Sequence, residues 1–327
     1  MPRILVTPIE LVRAEGPCQD TLRSAGFEIV YPPVGVTLYD VDRLAANLPG
    51  VDGMLAGMEP LNRRVIEGSN LRAISRMGVG YDAVDVAAAT ERGIAVAVAV
   101  GTNHVCVAEH MLALLLGVTR GFPARDRAVR AGSWQRKLLG RLDGKTIGLV
   151  GLGRIGKAVV PRVQALGMQV LASDPLADRD WAESHGVHLV PLAQLLATCD
   201  VVSLHAPCTA ESAKMINAQT LATMKRGAVL INTARGGLVD EDALCDALRS
   251  GQLSAAGLDA FTVEPLPTTS PILELDNVLL SPHVAGIDEQ SVADMGRVAA
   301  ENLVHLFQGR YPQECIVNRQ LWPGWTW

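Results

Sequence analysis

Three residues in the second half of the chain, Arg235, Glu264 and His283, are of the types that could together run a redox reaction on a small anionic molecule. A guanidinium fork can hold a carboxylate through two parallel hydrogen bonds and polarise a neighbouring carbonyl. An imidazole has an unperturbed pKa suited to proton exchange with an alcohol near neutral pH, and an adjacent carboxylate favours its charged form. Arg235 would then orient the substrate, His283 would take or give the proton, and Glu264 would tune His283. Each residue also has a plainer reading. Arg235 fits a turn in Arg235-Gly236-Gly237, Glu264 fits a surface charge ahead of Pro265, and His283 is one of seven histidines, most of which need no role in chemistry.

The elements around these residues decide between the readings. Gly148 to Gly156 runs Gly-Leu-Val-Gly-Leu-Gly-Arg-Ile-Gly. An apolar, β-prone run from Lys145 to Val150 precedes the turn, and Lys157 to Leu166 follows with apolar residues at helical spacing, Pro161 being expected to kink that helix. In a strand, turn and helix of this kind Gly151 makes the tight turn, Gly153 lets backbone approach a pyrophosphate, and Gly156 packs helix on strand. The phosphates would sit on the helix N-terminus, whose unpaired N–H groups and dipole favour negative charge. A second strand, Gln169 to Ser173, ends at Asp174, about 20 residues past the glycines, where a carboxylate can accept from an adenosine ribose. An anion there, with no Arg in Ser173-Asp174-Pro175-Leu176, favours NAD over NADP.

Strand-like and helix-like runs alternate along the whole chain, which indicates parallel sheets. In the first hundred or so residues the expected strands are Ile4 to Thr7, Phe27 to Val30, Gly53 to Ala56, Arg72 to Arg76 and Ile94 to Ala97. A long apolar helix from Asn103 to Arg120 leads into seven further runs: Thr146 to Val150, Gln169 to Ser173, Val187 to Val190, Val201 to Leu204, Ala228 to Asn232, Ala255 to Leu258 and Val278 to Leu280. On a doubly wound sheet ligands lie beyond the carboxyl ends of the strands. The residues just past these runs are Asp174, His205-Ala206-Pro207, Thr233-Ala234-Arg235, Asp259 and Ser281-Pro282-His283. A last helix, Glu289 to Gln308, is expected to cross back to the first domain. The tryptophans of the closing stretch, Trp322, Trp325 and Trp327, are expected to pack on a neighbouring surface such as a second subunit, for area rather than for substrate contact.

Composition narrows the function further. The 327 residues are 49% hydrophobic and 19% charged, which fits a globular chain of two domains without low-complexity segments. A net charge of −5 and the absence of a Lys/Arg run argue against nucleic acid, so an anionic substrate needs a local positive site. The N-terminus enters a strand at once without a signal-peptide pattern, and no apolar run approaches the length that spans a bilayer, so a soluble, cytoplasmic protein with no membrane partner is expected. Six cysteines, including Cys106 and Cys208 near functional segments, lie scattered without CxxC or Cys/His pairing. Reduced thiols are expected, with neither a metal site nor a catalytic cysteine.

Thr233-Ala234-Arg235-Gly236-Gly237-Leu238-Val239-Asp240, with Asp259, Glu264, Ser281-Pro282-His283 and the Gly151-Leu152-Gly153-Arg154-Ile155-Gly156 turn, resembles the D-isomer-specific 2-hydroxyacid dehydrogenase family. The resemblance covers nearly the whole chain, including Arg92-Gly93-Ile94 and Val107-Ala108-Glu109-His110. It implies an α/β fold of two Rossmann-like, doubly wound domains: a split substrate domain from residues 1–101 and 289–327, and an inserted NAD-binding domain from residues 102–288 that forms most of a homodimer interface. It implies Arg235 as the substrate arginine, His283 as the acid/base and Glu264 as its partner. Cofactor contacts carry over to Gly151, Gly153, Arg154, Ile155, Gly156, Asp174, His205, Pro207, Thr233, Ala234, Asp259 and the His283-to-Gly286 segment with Ala285 and Gly286. The loop Arg76-Met77-Gly78-Val79-Gly80-Tyr81-Asp82 matches the family's substrate loop, with Val79 and Gly80 N–H groups on a carboxylate and Arg76 matching a substrate arginine of the D-3-phosphoglycerate dehydrogenases.

Departures from the pattern bear on the substrate. Val98-Ala99-Val100-Gly101 replaces an Asn-Thr-Pro-Gly stretch, Ile287-Asp288 replaces the usual Thr, and Gly57 stands where a second Arg is often found. The chain is expected to lack the C-terminal regulatory domain of some phosphoglycerate dehydrogenases. The expected substrate is a small anionic 2-hydroxy or 2-oxo acid, 3-phosphoglycerate first. Hydroxypyruvate or glyoxylate is the alternative if Arg76 does not face the pocket, a surface charge being its plainer role. A reading from another class, an NAD-binding protein similar to the C-terminal-binding corepressors, shares the same site residues.

Overall fold

Short apolar runs bounded by Gly, Asp and Asn turns form two parallel sheets in the computed structural model, which describes residues 1–134, 136 and 138–327. The chain divides into two units, Met1–Asn103 with Ile287–Trp327, and His104–Gly286. In the first unit β1 (Arg3–Val6), β2 (Glu28–Val30), β3 (Gly53–Ala56), β4 (Ala73–Arg76) and β5 (Ala95–Val98) lie in the order β2-β1-β3-β4-β5. Every residue of β3, β4 and β5 is buried, as helices on both faces of a parallel sheet require. Asp40, Asn62 and Asp85 start the connecting helices by accepting the N–H three residues on.

The helix Glu289–Phe307 belongs to this first unit and packs Ala299, Ala300, Leu303 and Leu306 into its core. Its buried Asn302 donates to the Val98 carbonyl at 3.1 Å, so the returning segment is tied to β5. The tryptophan tail does not await a second subunit. Trp325 is buried and its indole N–H donates to the Gly93 carbonyl at 2.8 Å, Trp327 packs on Phe27 and Phe307, and Trp322 stacks on Tyr311. The apolar rings find area on their own domain, where the indole donor of Trp325 is also satisfied.

In the second unit β6 (Thr146–Val150), β7 (Gln169–Ser173), β8 (Val187–Leu189), β9 (Val201–Leu204), β10 (Ala228–Asn232), β11 (Leu253–Leu258) and β12 (Val278–Leu280) run in the order β12-β11-β10-β9-β6-β7-β8. The order reverses between β6 and β9, and the crevice beyond their carboxyl ends is the ligand position of such sheets. The helix His104–Thr119 buries Met111, Leu114 and Leu115 against this sheet. The helix after the glycine turn, Arg154–Ala165, is continuous across Pro161. No single described helix is long and apolar enough to cross a membrane.

Candidate active site

The glycine turn separates three physical tasks. At Gly151, with φ of 101°, a Cβ would lie 2.7 Å from the His205 carbonyl oxygen. At Gly156 it would lie 2.5 Å from the Gly151 carbonyl oxygen, so helix and strand meet there without a side chain between them. At Gly153, the N-cap of the helix, it would meet nothing within 4 Å. Open space at the one glycine of this turn that caps the helix N-terminus is what a pyrophosphate needs. Arg154 and Ile155 open the helix beyond it. Asp174 accepts the Leu152 N–H at 2.8 Å through one oxygen and the Leu176 N–H at 2.8 Å through the other. It therefore braces the turn and keeps spare lone pairs for a further donor.

Two neighbouring strand ends carry buried polar atoms without partners. His205, just past β9, has Nε2 at 2.9 Å from Ser203 Oγ while its Nδ1 makes no hydrogen bond among the described residues, and Thr233 Oγ1, just past β10, makes none among them either. Orphaned buried atoms are rare in folded proteins. Their place, on the β9 side of the reversal in strand order, suits a polar ligand such as a dinucleotide. Burial pushes the His205 imidazole down to about 4, so it stands there neutral. Pro207 is exposed and its carbonyl is held by Ser212 Oγ at 2.8 Å.

The reaction-type residues are brought together by backbone proximity. A Cβ on Gly236 would overlap the backbone of Phe261 and Thr262, so the turn carrying Arg235 lies directly on the segment leading to Glu264. Asn232, buried at the end of β10, accepts the Ala234 N–H at 3.0 Å and donates to the Arg235 carbonyl at 2.8 Å, which shapes that turn. Glu264 accepts the Phe261 N–H at 2.9 Å through Oε1, and its Oε2 lies 2.7 Å from His283 Nδ1. Burial pushes the Glu264 carboxyl up, but the His283 and Phe261 hydrogen bonds and the charges of His283 and Arg235 more than reverse this and hold it below its ordinary value. With Nδ1 so engaged, Nε2 of His283 makes no hydrogen bond among the described residues.

His283 has φ of 55°, a left-handed conformation that costs a non-glycine residue about 1–3 kcal/mol. Asp259 holds that bend. Its carboxylate, 1% exposed, accepts the Ser281 hydroxyl at 2.6 Å, the Val284 N–H at 3.0 Å and the Ala285 N–H at 2.8 Å, and Gly286 follows. Asn232 was not singled out from sequence as a site residue, and Ser281 was named only as a strand-end and motif residue with no role. Their signal, a short polar side chain at or just past a strand end, is shared with ordinary turn residues.

The first unit has its own cluster at the carboxyl ends of β3 and β4. Arg76 is 5% exposed, which excludes the surface-charge reading, and its Nε donates to the Gly80 carbonyl at 2.8 Å. The N–H groups of Val79 and Gly80 have no acceptor among the described residues. Beside them Glu59 is 3% exposed and accepts the Gly57 N–H at 2.6 Å. Burial raises its carboxyl, opposed by hydrogen bonds and by the charge of Arg76.

Residues 112–285 match the model of the D-isomer specific 2-hydroxyacid dehydrogenase, NAD binding domain. D-3-phosphoglycerate dehydrogenase of Archaeoglobus fulgidus is 44% identical over 242 residues, 73% of this chain and 46% of the relative. Glyoxylate reductase of Korarchaeum cryptofilum is 40% identical over 270 residues, 80% of this chain and 81% of the relative. The chain spans about half the length of the curated phosphoglycerate dehydrogenases it matches. Among solved structures, the TT0316 protein from Thermus thermophilus has a TM-score of 0.84 at 37% identity, covering 96% of this chain and 100% of that one. D-Lactate dehydrogenase from Aquifex aeolicus, complexed with NAD and lactic acid, has a TM-score of 0.83 at 28% identity, covering 96% and 98%.

Proposed function

Because the chain belongs to the D-isomer specific 2-hydroxyacid dehydrogenase family, we propose that it moves a hydride between NAD and C2 of a small D-2-hydroxy acid or the matching 2-oxo acid. The observation that carries this reading is the 2.7 Å contact of His283 Nδ1 with Glu264, which leaves Nε2 as the nitrogen for a substrate proton. Glu264 is an acceptor when ionised, so Nδ1 carries the hydrogen and neutral His283 has its lone pair on Nε2. In the oxidation direction Nε2 takes the hydroxyl proton while Arg235 holds the carboxylate and stabilises the developing carbonyl. NAD, when bound, supplies the hydride acceptor, and Gly153, Asp174, His205 and Thr233 are the residues whose geometry fits it. Arg154, Ile155, Pro207, Ala234, Asp259, Ala285 and Gly286 complete the proposed cofactor surface.

For the substrate, the Val79 and Gly80 N–H groups suit a carboxylate. The buried position of Arg76, its bond to Gly80 and its neighbour Glu59 favour an unphosphorylated acid of the hydroxypyruvate or glyoxylate kind over 3-phosphoglycerate. Arg76 Nε already holds the Gly80 carbonyl, and a phosphate dianion at this loop would come beside the buried Glu59 carboxyl. The test is NADH oxidation with glyoxylate, hydroxypyruvate, pyruvate and phosphohydroxypyruvate. Preference for an unphosphorylated acid supports this reading, and preference for phosphohydroxypyruvate returns Arg76 to phosphate binding. No turnover, with NAD-dependent capture of a peptide, would replace the enzyme with a corepressor-like binding protein.

A further inference from the structure

Within the His104–Gly286 unit a side chain outside the proposed triad reaches the bend that carries His283. His110, on the helix His104–Thr119, places Nε2 2.8 Å from Ser281 Oγ, and Ser281 Oγ lies 2.6 Å from Asp259 Oδ1. The carboxylate of Asp259 can only accept, so the single hydroxyl hydrogen of Ser281 points to it. Toward His110 the same oxygen is then an acceptor, and the ring nitrogen facing it must carry a hydrogen. The chain of donors therefore has one direction, from His110 Nε2–H through Ser281 to Asp259.

Asp259 is almost fully buried and also accepts the N–H groups of Val284 and Ala285, on the far side of the left-handed His283. Its two oxygens thus clamp both arms of the bend, Ser281 on one side and Val284 with Ala285 on the other. His110 Nε2 lies 3.5 Å from the same Oδ1, close enough to stabilise the negative charge directly as well. Without a donor at His110, the Ser281 oxygen loses the hydrogen bond that pins it beside Asp259, and that arm of the clamp is loosened.

We propose that His110 is a positioning residue for the reaction, acting through Ser281 and Asp259 to hold His283 in the left-handed conformation that meets Glu264. The inference rests on the proposed activity for its kinetic consequence but not for its structural one. Two variants separate the donor from the bulk: His110→Gln keeps an N–H, and His110→Leu fills similar space without one.

The structural readout is amide hydrogen exchange at Val284 and Ala285, which needs no turnover. Exchange about tenfold faster in His110→Leu, with His110→Gln near wild type, supports the clamp, and equal exchange in all three proteins overturns it. The kinetic readout is kcat on whichever 2-oxo acid is turned over best. His110→Leu should lose about tenfold in kcat, and His110→Gln should retain it. Equal losses in both variants would mean that bulk matters and the donor does not, against the proposal. If His110→Leu fails to fold, Ser281→Ala and the donorless His110→Met, alone and together, serve instead: the double variant should be no worse than Ser281→Ala, and losses that add would overturn the route through Ser281. Altered exchange in a protein without turnover would uphold the clamp and discard the proposed activity.

Discussion

The residue that does most in this site is held in the conformation its side chain least favours. His283 sits at φ of 55° where Asp259 holds the Ser281 hydroxyl before it and the Val284 and Ala285 N–H groups after it, and its ring makes a 2.7 Å contact with Glu264. His283→Ala is therefore expected to lower kcat by about 10²- to 10⁴-fold while leaving the NAD dissociation constant near wild type, as measured by steady-state kinetics and cofactor titration. Glu264 has its carboxyl held below its ordinary value. The stabilisation it contributes is then complete above the unfolded value near 4.5 and is lost as pH falls through the lower folded value. Urea midpoints of wild type and Glu264→Gln should differ at pH 7 and draw together as acidification protonates the folded carboxyl. His205 carries the opposite charge when protonated, yet its stability contribution changes in the same direction. Its folded value is pushed from 6.5 down to about 4, so the unfolded chain binds the proton first and stability declines as pH falls across that window. Thermal unfolding of His205→Gln should be less sensitive to acidification between those values, and an identical slope would mean that the ring is solvated.

At the scale of elements, glycines that look alike in the sequence have opposite consequences. Gly153 opens on empty space and Gly236 rests on the Phe261–Thr262 backbone. Gly153→Ala should keep a Tm within about 2 °C of wild type but weaken NAD about tenfold, since its Cβ would occupy space that the pyrophosphate needs. Gly236→Ala should cost about 1–3 kcal/mol, because overpacking moves the Arg235 turn off the Glu264 segment, and both Tm and kcat should fall. Equal effects of the two substitutions on Tm would refute this division. The strands themselves were readable because each is a short apolar run closed by a turn residue, and helix starts such as Asp85 and Asp288 cap the next N–H groups. The helix Phe122–Arg130 was not located, since none of its residues is buried and periodicity had no apolar face to reveal.

At the scale of the whole molecule, the His104–Gly286 unit exposes an apolar region. Phe122 is 62% exposed, Trp134 80% and Leu138 95%, beside a cavity of about 590 Å³ lined by Val118, Val129, Leu139 and Leu279. The homodimer that the family resemblance implies through this unit would give these side chains a surface to bury. On that expectation sedimentation gives a dimer for the wild type and a monomer for Trp134→Asp with Leu138→Asp. A wild-type monomer would overturn it. What the sequence determined by itself was local: two parallel sheets, the strand, glycine turn and helix, the acidic residue after the second strand, and the strand ends where polar residues gather. Those signals survive in one dimension because periodicity, turn chemistry and glycine placement act over a few residues. Only the tertiary structure decided that Glu264 meets His283, that Arg76 serves its own loop beside Glu59, that His110 reaches Ser281 across 171 positions, and that the tryptophan tail covers its own domain. Contacts between residues far apart in the chain depend on how sheets and helices stack, and side-chain spacing carries no record of that.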